Sequence, residues 1–153
     1  MENKKETTLT LNEVYELESE LNGFSHEGKK IFDGLLNQKT SFVVKYHLKK
    51  LYQLVKVEKD LIDELKNDLI KKYGTEREDG TIVIEPRVKV SETVDNGEDV
   101  EKFVVNQKFL EFQKEFNNIL EQSKTIEHHA FVIDDFSNIE TDDNYTVFYK
   151  LLD

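Results

Sequence analysis

The stretch from residue 42 to residue 73, FVVKYHLKKLYQLVKVEKDLIDELKNDLIKKY, decides the fold because it predicts one long helix. Four of its apolar residues recur at intervals of seven, which keeps them on one side of a helix. They are Leu48, Val55, Ile62 and Leu69. At a rise of about 1.5 Å per residue, the helix would extend on the order of 45 Å. It would then be the spine of the chain.

A second row of apolar residues accompanies the first and is interrupted by a charge. Leu51 and Leu65 hold this row, and Glu58 stands between them. We interpret Glu58 as turned to solvent, because the 3.6-residue helical period drifts from a repeat of seven. The alternative is a buried charge that sets specificity. Leu54 and Leu61 broaden the apolar stripe, which favours packing against more than one neighbour.

The segment after this helix has the features of turns and strands. Gly74 is expected to end the helix in the left-handed conformation, and the Asp-Gly pair at residues 79 to 80 is typical of a hairpin turn. The sequence GTEREDG lacks the Lys-Ser/Thr end of a phosphate loop and the spaced ligands of a calcium loop. Residues 81 to 105 are predicted to form a β-hairpin, with Pro86 at an edge or a bulge.

Two shorter helices are predicted on either side of these elements. Thr10 and Glu13 form a capping-box pattern at the start of a helix over residues 11 to 22. Asn106 is expected to cap a helix over residues 107 to 122 that runs back along the long helix. The predicted fold class is α+β: a long antiparallel helical pair with a β-hairpin tip, an extra N-terminal helix and a small peripheral sheet.

The remaining segments are less regular. Apolar residues between positions 31 and 36 predict one or two helical turns, and residues 125 to 153 are predicted to form a strand and an acidic tail. The apolar residues of the tail fit either a docked helical turn or an edge strand. They are Tyr145, Phe148, Tyr149 and Leu152. Because no linker, repeat or low-complexity segment interrupts residues 1 to 153, we predict a single domain.

Composition excludes several classes of function. The 153 residues carry a formal net charge of −11 and no cysteine. The absence of cysteine excludes disulfides, thiolate metal sites and thiol nucleophiles, and the acidity disfavours a nucleic-acid partner. No apolar run approaches the roughly 20 residues that span a bilayer, and the N-terminus lacks a secretory signal. We therefore expect a soluble, intracellular protein without a membrane partner.

Histidines and acids near the C-terminus are the clearest candidates for chemistry. His128 and His129, with Asp134 and Asp135, could supply imidazole and carboxylate ligands to a metal. Adjacent residues of a strand point to opposite faces, so the two histidines would not chelate one ion. The paired acids are typical of a solvated turn. We therefore favour a structural histidine, and predict no metal site, no cofactor and no catalytic residue. The protein is predicted not to be an enzyme.

The segment from residue 39 to residue 56 contains lysines and tyrosines but no acid, which makes it a candidate surface for an acidic partner. Its residues are Lys39, Lys45, Tyr46, Lys49, Lys50, Tyr52 and Lys56. The candidate acidic mate comprises Asp134, Asp135, Glu140, Asp142 and Asp143. We favour the tail of the same chain as the occupant. The alternative is the tail of a neighbouring copy, in a head-to-tail assembly.

The order of these segments resembles small tailed-bacteriophage proteins of unassigned function. The likeness covers about residues 42 to 136 and is carried by VVKYHLKKLYQLVKVEKDLIDELKNDLIKKYG, TEREDGTIVIE, NQKFLEFQKEFNNILEQ and IEHHAFVIDDF. In those proteins, too, a lysine-rich helix ends in a Tyr-Gly pair before an acidic glycine turn. The chain departs from them by the inserted RVKVSETVDNGEDVEKF, by its extra N-terminal helix and by its tail.

The resemblance implies a bacteriophage context and a non-enzymatic role in structure or assembly. The first hypothesis is a building block of the head-tail connector, tail or capsid, in contact with other phage structural proteins and with further copies of itself. The second is a soluble phage-encoded modulator that binds a host protein, its acidity competing for a basic surface. The expected location is the host cytoplasm during assembly and, under the first hypothesis, the virion.

Overall fold

The computed structural model describes residues 3 to 137 and 145 to 153. Within this part of the chain there are three α-helices and eight short strands, which pair into four two-stranded antiparallel sheets. The predicted α+β class is therefore confirmed. The chain divides into two compact units, one formed by Met1–Ile62 with Leu120–Asp153 and the other by Asp63–Ile119.

The first unit begins with a strand that the sequence analysis did not predict. Strand β1 (Lys4–Thr10) leads directly into helix α1 (Leu11–Asn22) and pairs antiparallel with β8 (Ser123–His129). The Thr10 hydroxyl accepts a hydrogen bond from the Glu13 N–H at 3.1 Å, and the Glu13 carboxylate accepts one from the Thr10 N–H at 3.1 Å. The predicted capping box and the bounds of α1 are confirmed.

A hairpin follows α1 where helical turns were expected. Strands β2 (Gly23–His26) and β3 (Lys29–Asp33) pair antiparallel, and a single 3-10 turn, Leu35–Asn37, comes next. The first part of the apolar segment between residues 31 and 36 is therefore an extended strand, not the predicted helical turn. Phe24 and Phe32 stack across the hairpin with their ring centres 6.3 Å apart, and this cross-strand contact favours the extended form over a helix.

Helix α2 (Phe42–Tyr73) has the predicted bounds and contributes residues to both units. Its buried side chains are Val44, Leu48, Leu51, Val55 and Ile62. In the first unit, α2 packs into a hydrophobic core with side chains from α1, β1, β8 and the C-terminal segment. This core includes Leu17, Phe131, Tyr145 and Phe148.

Glu58 is not turned fully to solvent, so our interpretation of this residue is wrong. Its side chain is only 19% exposed, and its carboxylate lies 2.6 Å from the ammonium of Lys124 on β8. The start of β8 partly covers this side of α2, and the lysine neutralises the charge that would otherwise be costly to bury.

The C-terminal segment takes the docked helical alternative. Phe148–Leu151 forms a 3-10 turn, and the N–H groups of Val147 and Phe148 donate to the Glu20 carboxylate of α1 at 3.1 and 3.0 Å. The Tyr145 hydroxyl donates to the Asp33 carbonyl at 2.5 Å. These bonds fix the end of the chain to the core of the first unit.

The second unit contains two hairpins where the sequence predicted one. Strand β4 (Thr75–Glu76) pairs with β5 (Ile82–Val83), and β6 (Arg87–Thr93) pairs with β7 (Asp99–Val105). The hairpin predicted over residues 81 to 105 is thus correct for β6 and β7. It is wrong for β5, which pairs with β4 instead. Pro86 stands between β5 and β6, where its missing N–H interrupts a continuous strand.

Gly74 ends α2, but for a different reason from the one predicted. Its backbone does not have the positive φ of a left-handed cap. A Cβ atom at this position would lie 2.4 Å from the Ile70 carbonyl oxygen and 2.9 Å from that of Val83. Glycine is therefore required because β5 approaches the end of the helix closely.

Helix α3 (Gln107–Leu120) begins as predicted and ends two residues earlier than the predicted residue 122. The Asn106 side chain accepts a hydrogen bond from the Lys108 N–H at 3.0 Å, which confirms the predicted cap. All residues of Asp63–Ile119 are described, and none of them is buried. The aromatic face of α3 is only partly covered.

Two side-chain contacts join α3 to the last part of α2 within the second unit. The Lys72 ammonium lies 3.2 Å from the Glu115 carboxylate, and the Lys66 ammonium lies 5.7 Å from the centre of the Phe116 ring. Hydrogen bonds from the Tyr73 hydroxyl and, second, from the Lys72 ammonium lower the pKa of the Glu115 carboxyl. An ion pair and a cation-π contact therefore form part of the contact between the two helices.

Candidate functional site

The lysines and tyrosines of the predicted partner surface lie on two faces of α2. Four of them follow one another at intervals of three or four and so share one face. They are Lys45, Lys49, Tyr52 and Lys56. Tyr46 and Lys50 share a neighbouring face, where the Lys50 ammonium lies 4.9 Å from the centre of the Tyr46 ring. Lys39 precedes the helix.

Two members of the first face have partners in the same chain. The Tyr52 hydroxyl donates to the Glu18 carboxylate at 3.3 Å, and burial raises the pKa of Tyr52. The Lys56 ammonium donates to the Asp60 carboxylate at 2.8 Å, and this bond raises the pKa of Lys56. These partners lie on α1 and on α2 itself, not on the acidic tail.

The predicted acidic mate falls partly outside the described residues. Asp134 and Asp135 lie in a 3-10 turn, Ile133–Phe136, where the Asp135 carboxylate accepts a hydrogen bond from the Val132 N–H at 3.1 Å. The Asp135 carboxylate is therefore part of a local turn, which is where we expected the paired acids to lie. The other three acids of the predicted mate lie outside the described residues: Glu140, Asp142 and Asp143. The pairing of the basic segment with the tail stays a prediction.

A cavity of about 180 Å³ lies where the ends of β1 and β8 meet the first half of α2. Lys4 and Glu127 come from the two strands and form an ion pair at 3.0 Å. Lys50 and Leu54 come from α2. The cavity thus has charged groups from both the strands and α2, and an aliphatic side chain from α2.

His128, at the edge of this cavity, is held as a neutral imidazole. Its Nδ1 lies 2.7 Å from the His129 carbonyl oxygen, and its Nε2 lies 2.7 Å from the Thr7 hydroxyl. Because a carbonyl can only accept, we assign the proton to Nδ1, so that Nε2 accepts from Thr7. Burial lowers the pKa of His128. These bonds engage both ring nitrogens of His128 within the chain.

His129 contacts the helix instead. Its ring stacks on His47 of α2 with centres 3.8 Å apart and planes 5° apart, and its edge meets Phe131 at 5.1 Å. In the part of the chain that the structure describes, no group of three or more histidine, aspartate or glutamate side chains is arranged to hold a metal ion. The role of His47 could not be predicted from the sequence, because its contact with His129 depends on β8 lying against α2.

A row of exposed apolar side chains runs along α2 and includes Leu54 of the cavity lining. Leu54 and Leu61, which we expected to pack against neighbours, are about half exposed, and Val57 between them is 67% exposed. Towards the start of the helix the row continues with Tyr46 and Val43. Intervals of three, eight, three and four residues from Val43 to Leu61 keep these side chains on one face, with Lys50 between Tyr46 and Leu54. Exposed apolar side chains grouped in this way are typical of an interaction site.

Charge changes sign along the same helix. From residue 39 to residue 57 there are five lysines and no acid, whereas from Glu58 to Asp68 there are five acids and two lysines. The change falls beside Val57, the most exposed of the aliphatic side chains in the row. The helix therefore has a basic half and an acidic half, and Lys50 is the lysine of the basic half that shares a face with the apolar row.

Comparisons with protein-family models, curated proteins and solved structures find no match to this chain. Among the described helices, none combines the length and the apolar composition needed to cross a bilayer.

Proposed function

We propose that this protein is a non-enzymatic structural or assembly component of a bacteriophage, and that it works through protein-protein contacts made by α2. The phage context rests on the resemblance described above. The observation that carries the contact is the exposed apolar row from Val43 to Leu61 on a helix of 32 residues. The occupant that we propose for this row is the α2 helix of a second copy.

Charge complementarity supports an antiparallel pair of copies. If a two-fold axis passes beside Val57, the basic half of each α2 faces the acidic half of the other. Lys50, seven residues before Val57, would then stand opposite Glu64, seven residues after it. A parallel pair would place the lysines of one copy against those of the other, which costs free energy.

The expected affinity is modest. Completing the burial of a half-exposed valine or leucine contributes on the order of 1 kcal/mol, about half the value for a fully exposed one. Four aliphatic side chains in each copy would together contribute about 8 kcal/mol, which is comparable to the roughly 4–15 kcal/mol lost in association. Ion pairs between the two copies must therefore supply the net free energy of association, so the dimer should depend on both protein concentration and salt.

Light scattering tests this proposal on the whole chain. The wild type is expected to approach twice the monomer mass as its concentration rises, and to dissociate at high salt. Leu54→Glu should remain monomeric, because it places a charge in the apolar row. Ile133→Glu, at an exposed apolar side chain outside α2, is the matched control and should behave as the wild type. A wild type that stays monomeric at every concentration would overturn self-association and favour the host-protein modulator.

A further inference from the structure

Strand β7 has an open outer edge, because within Asp63–Ile119, where every residue is described, it pairs only with β6. At one end of this pair, the Asn106 N–H donates to the Pro86 carbonyl at 3.0 Å. At the other end, the Val94 N–H donates to the Glu98 carbonyl at 2.9 Å. Bonded and non-bonded pairs alternate along an antiparallel ladder, so every second residue of β7 turns its N–H and C=O away from β6. The outward-facing residues are Asp99, Glu101, Phe103 and Val105.

This edge combines outward backbone groups with exposed apolar side chains. Among the described residues, no backbone group of the four outward-facing residues bonds to another segment of the chain. Phe103 is 67% exposed and Val105 is 50% exposed. A two-stranded hairpin is marginally stable by itself, and a third strand would satisfy the outward N–H and C=O groups and cover both side chains. The edge is therefore a template for strand addition.

Charge along the edge selects the kind of strand that fits. Residues 95 to 101 contain four acids and no base, and two of the acids, Asp99 and Glu101, face outward. The Lys89 ammonium on β6 lies 2.5 Å from the Glu101 carboxylate, but both side chains are more than half exposed, so this ion pair is weak. At the other end of the edge, Arg87 of β6 stands opposite Val105. The edge is thus acidic towards the turn, and apolar with a cation beside it towards α3.

We propose that the outer edge of β7 binds an extended segment of a different protein as a third strand. Basic residues of that segment lie opposite Asp99 and Glu101, and apolar residues lie opposite Phe103 and Val105. In the antiparallel orientation, which is slightly the more stable, the apolar residues of the segment come before its basic residues. The site goes beyond the contact between copies, because it includes no residue of the apolar row on α2, and either contact can exist without the other.

Nuclear magnetic resonance on the whole chain with labelled amides tests the site. The probe is the capped peptide Val-Thr-Val-Thr-Lys-Thr-Lys, and the control is the same peptide with glutamate in place of both lysines. We expect saturable shifts of the β7 amides with the probe, and binding of the control that is weaker by about tenfold or more, because it sets acids against acids. Absence of saturable shifts, or equal binding of the two peptides, would overturn the proposal. Shifts that grow with protein concentration alone would assign the edge to a second copy and overturn it as well.

Two proline variants decide which edge of the hairpin is responsible. Val105→Pro removes an outward N–H of β7, and Ser91→Pro removes an outward N–H of β6, while neither removes a bond between the two strands. The first should weaken binding of the probe about tenfold or more, and the second less than about twofold. Equal losses in the two variants would overturn the proposal.

A second pair of variants leaves the backbone unchanged. Glu101→Gln should weaken binding about threefold, because it removes one partly exposed ion pair with the peptide. Glu92→Gln is the matched control, since Glu92 lies on β6 opposite Val100, on the other face of the hairpin. It should leave the affinity for the probe unchanged. Equal effects of these two substitutions would show that the acids of the β7 edge do not select the basic end of the peptide, which would contradict the proposal.

Discussion

Glu20 shows how one side chain can fix a terminal segment. It is buried on α1, and its carboxylate accepts hydrogen bonds from two N–H groups at the start of the C-terminal 3-10 turn. Burial nevertheless raises the pKa of Glu20, so part of the gain from these bonds is offset by desolvation. We expect Glu20→Ala to lower the free energy of unfolding by about 1–3 kcal/mol, the cost of leaving buried donors unpaired.

Urea unfolding followed by circular dichroism measures this change. Glu16→Ala is the matched control, because Glu16 lies one turn earlier on the same helix and is exposed. It should change the stability by less than about 0.5 kcal/mol. Equal effects of the two substitutions would show that the bonds from Val147 and Phe148 contribute little.

We predict a second effect at the residue scale: His128 makes the stability of the protein depend on pH. Burial lowers the pKa of His128 in the folded protein below its unfolded value of about 6.5. The unfolded chain therefore binds a proton more readily, so stability is complete above pH 6.5 and falls as the pH drops from 6.5 towards the folded pKa. His128→Gln, which cannot titrate, should flatten this part of the profile.

The profile is obtained from urea unfolding at several pH values between about 5 and 8. His26→Gln, which removes an exposed histidine from the β2–β3 hairpin, serves as the control and should retain the slope of the wild type. A wild-type profile that is flat over this range would contradict the assignment of His128 as a buried neutral imidazole.

At the scale of elements, the capping box joins β1 to α1. Thr10 ends the strand and caps the helix, so its hydroxyl contributes to both elements. We expect Thr10→Ala to lower the stability by about 1 kcal/mol, as is typical for the loss of an N-cap. Thr10→Ser keeps the hydroxyl and should retain most of the stability in thermal unfolding. If the serine variant loses as much as the alanine variant, the cap is not the cause.

The helices could be predicted from the sequence because their signals are local. Spacing of apolar residues and the caps at Thr10 and Asn106 defined α1, α2 and the start of α3. Strand β1 could not be predicted, because its sequence KKETTLT has one buried residue, Leu9, and its partner β8 lies more than a hundred residues away. The cavity beside His128 was missed for the same reason, since it exists only where the sheet of β1 and β8 meets α2.

At the scale of the whole molecule, the two units differ in how much they bury. The first contains the hydrophobic core, whereas no side chain of Asp63–Ile119 is buried, and Val100, Phe103 and Val105 of β7 are about half exposed or more. We expect the amides of β6 and β7 to exchange with deuterium much faster than those of α1, because few packed side chains oppose local opening. Equal protection of the two units would contradict this expectation.

The exposed row of α2 connects the structure to the proposed function, and its geometry can be measured directly. The chain has no cysteine, so a single introduced cysteine reports on one position. In the antiparallel pair, residue 57 lies beside its counterpart, while the two copies of residue 43 stand about 42 Å apart, 28 residues at about 1.5 Å each.

The decisive measurement is cross-linking of Val57→Cys and, as the control, Val43→Cys with a short bismaleimide. We expect a covalent dimer for Val57→Cys and none for Val43→Cys, with the yield falling at high salt. Cross-linking of both variants would indicate a parallel pair, and cross-linking of neither would indicate that α2 does not meet a second copy. Either result would contradict the proposed assembly.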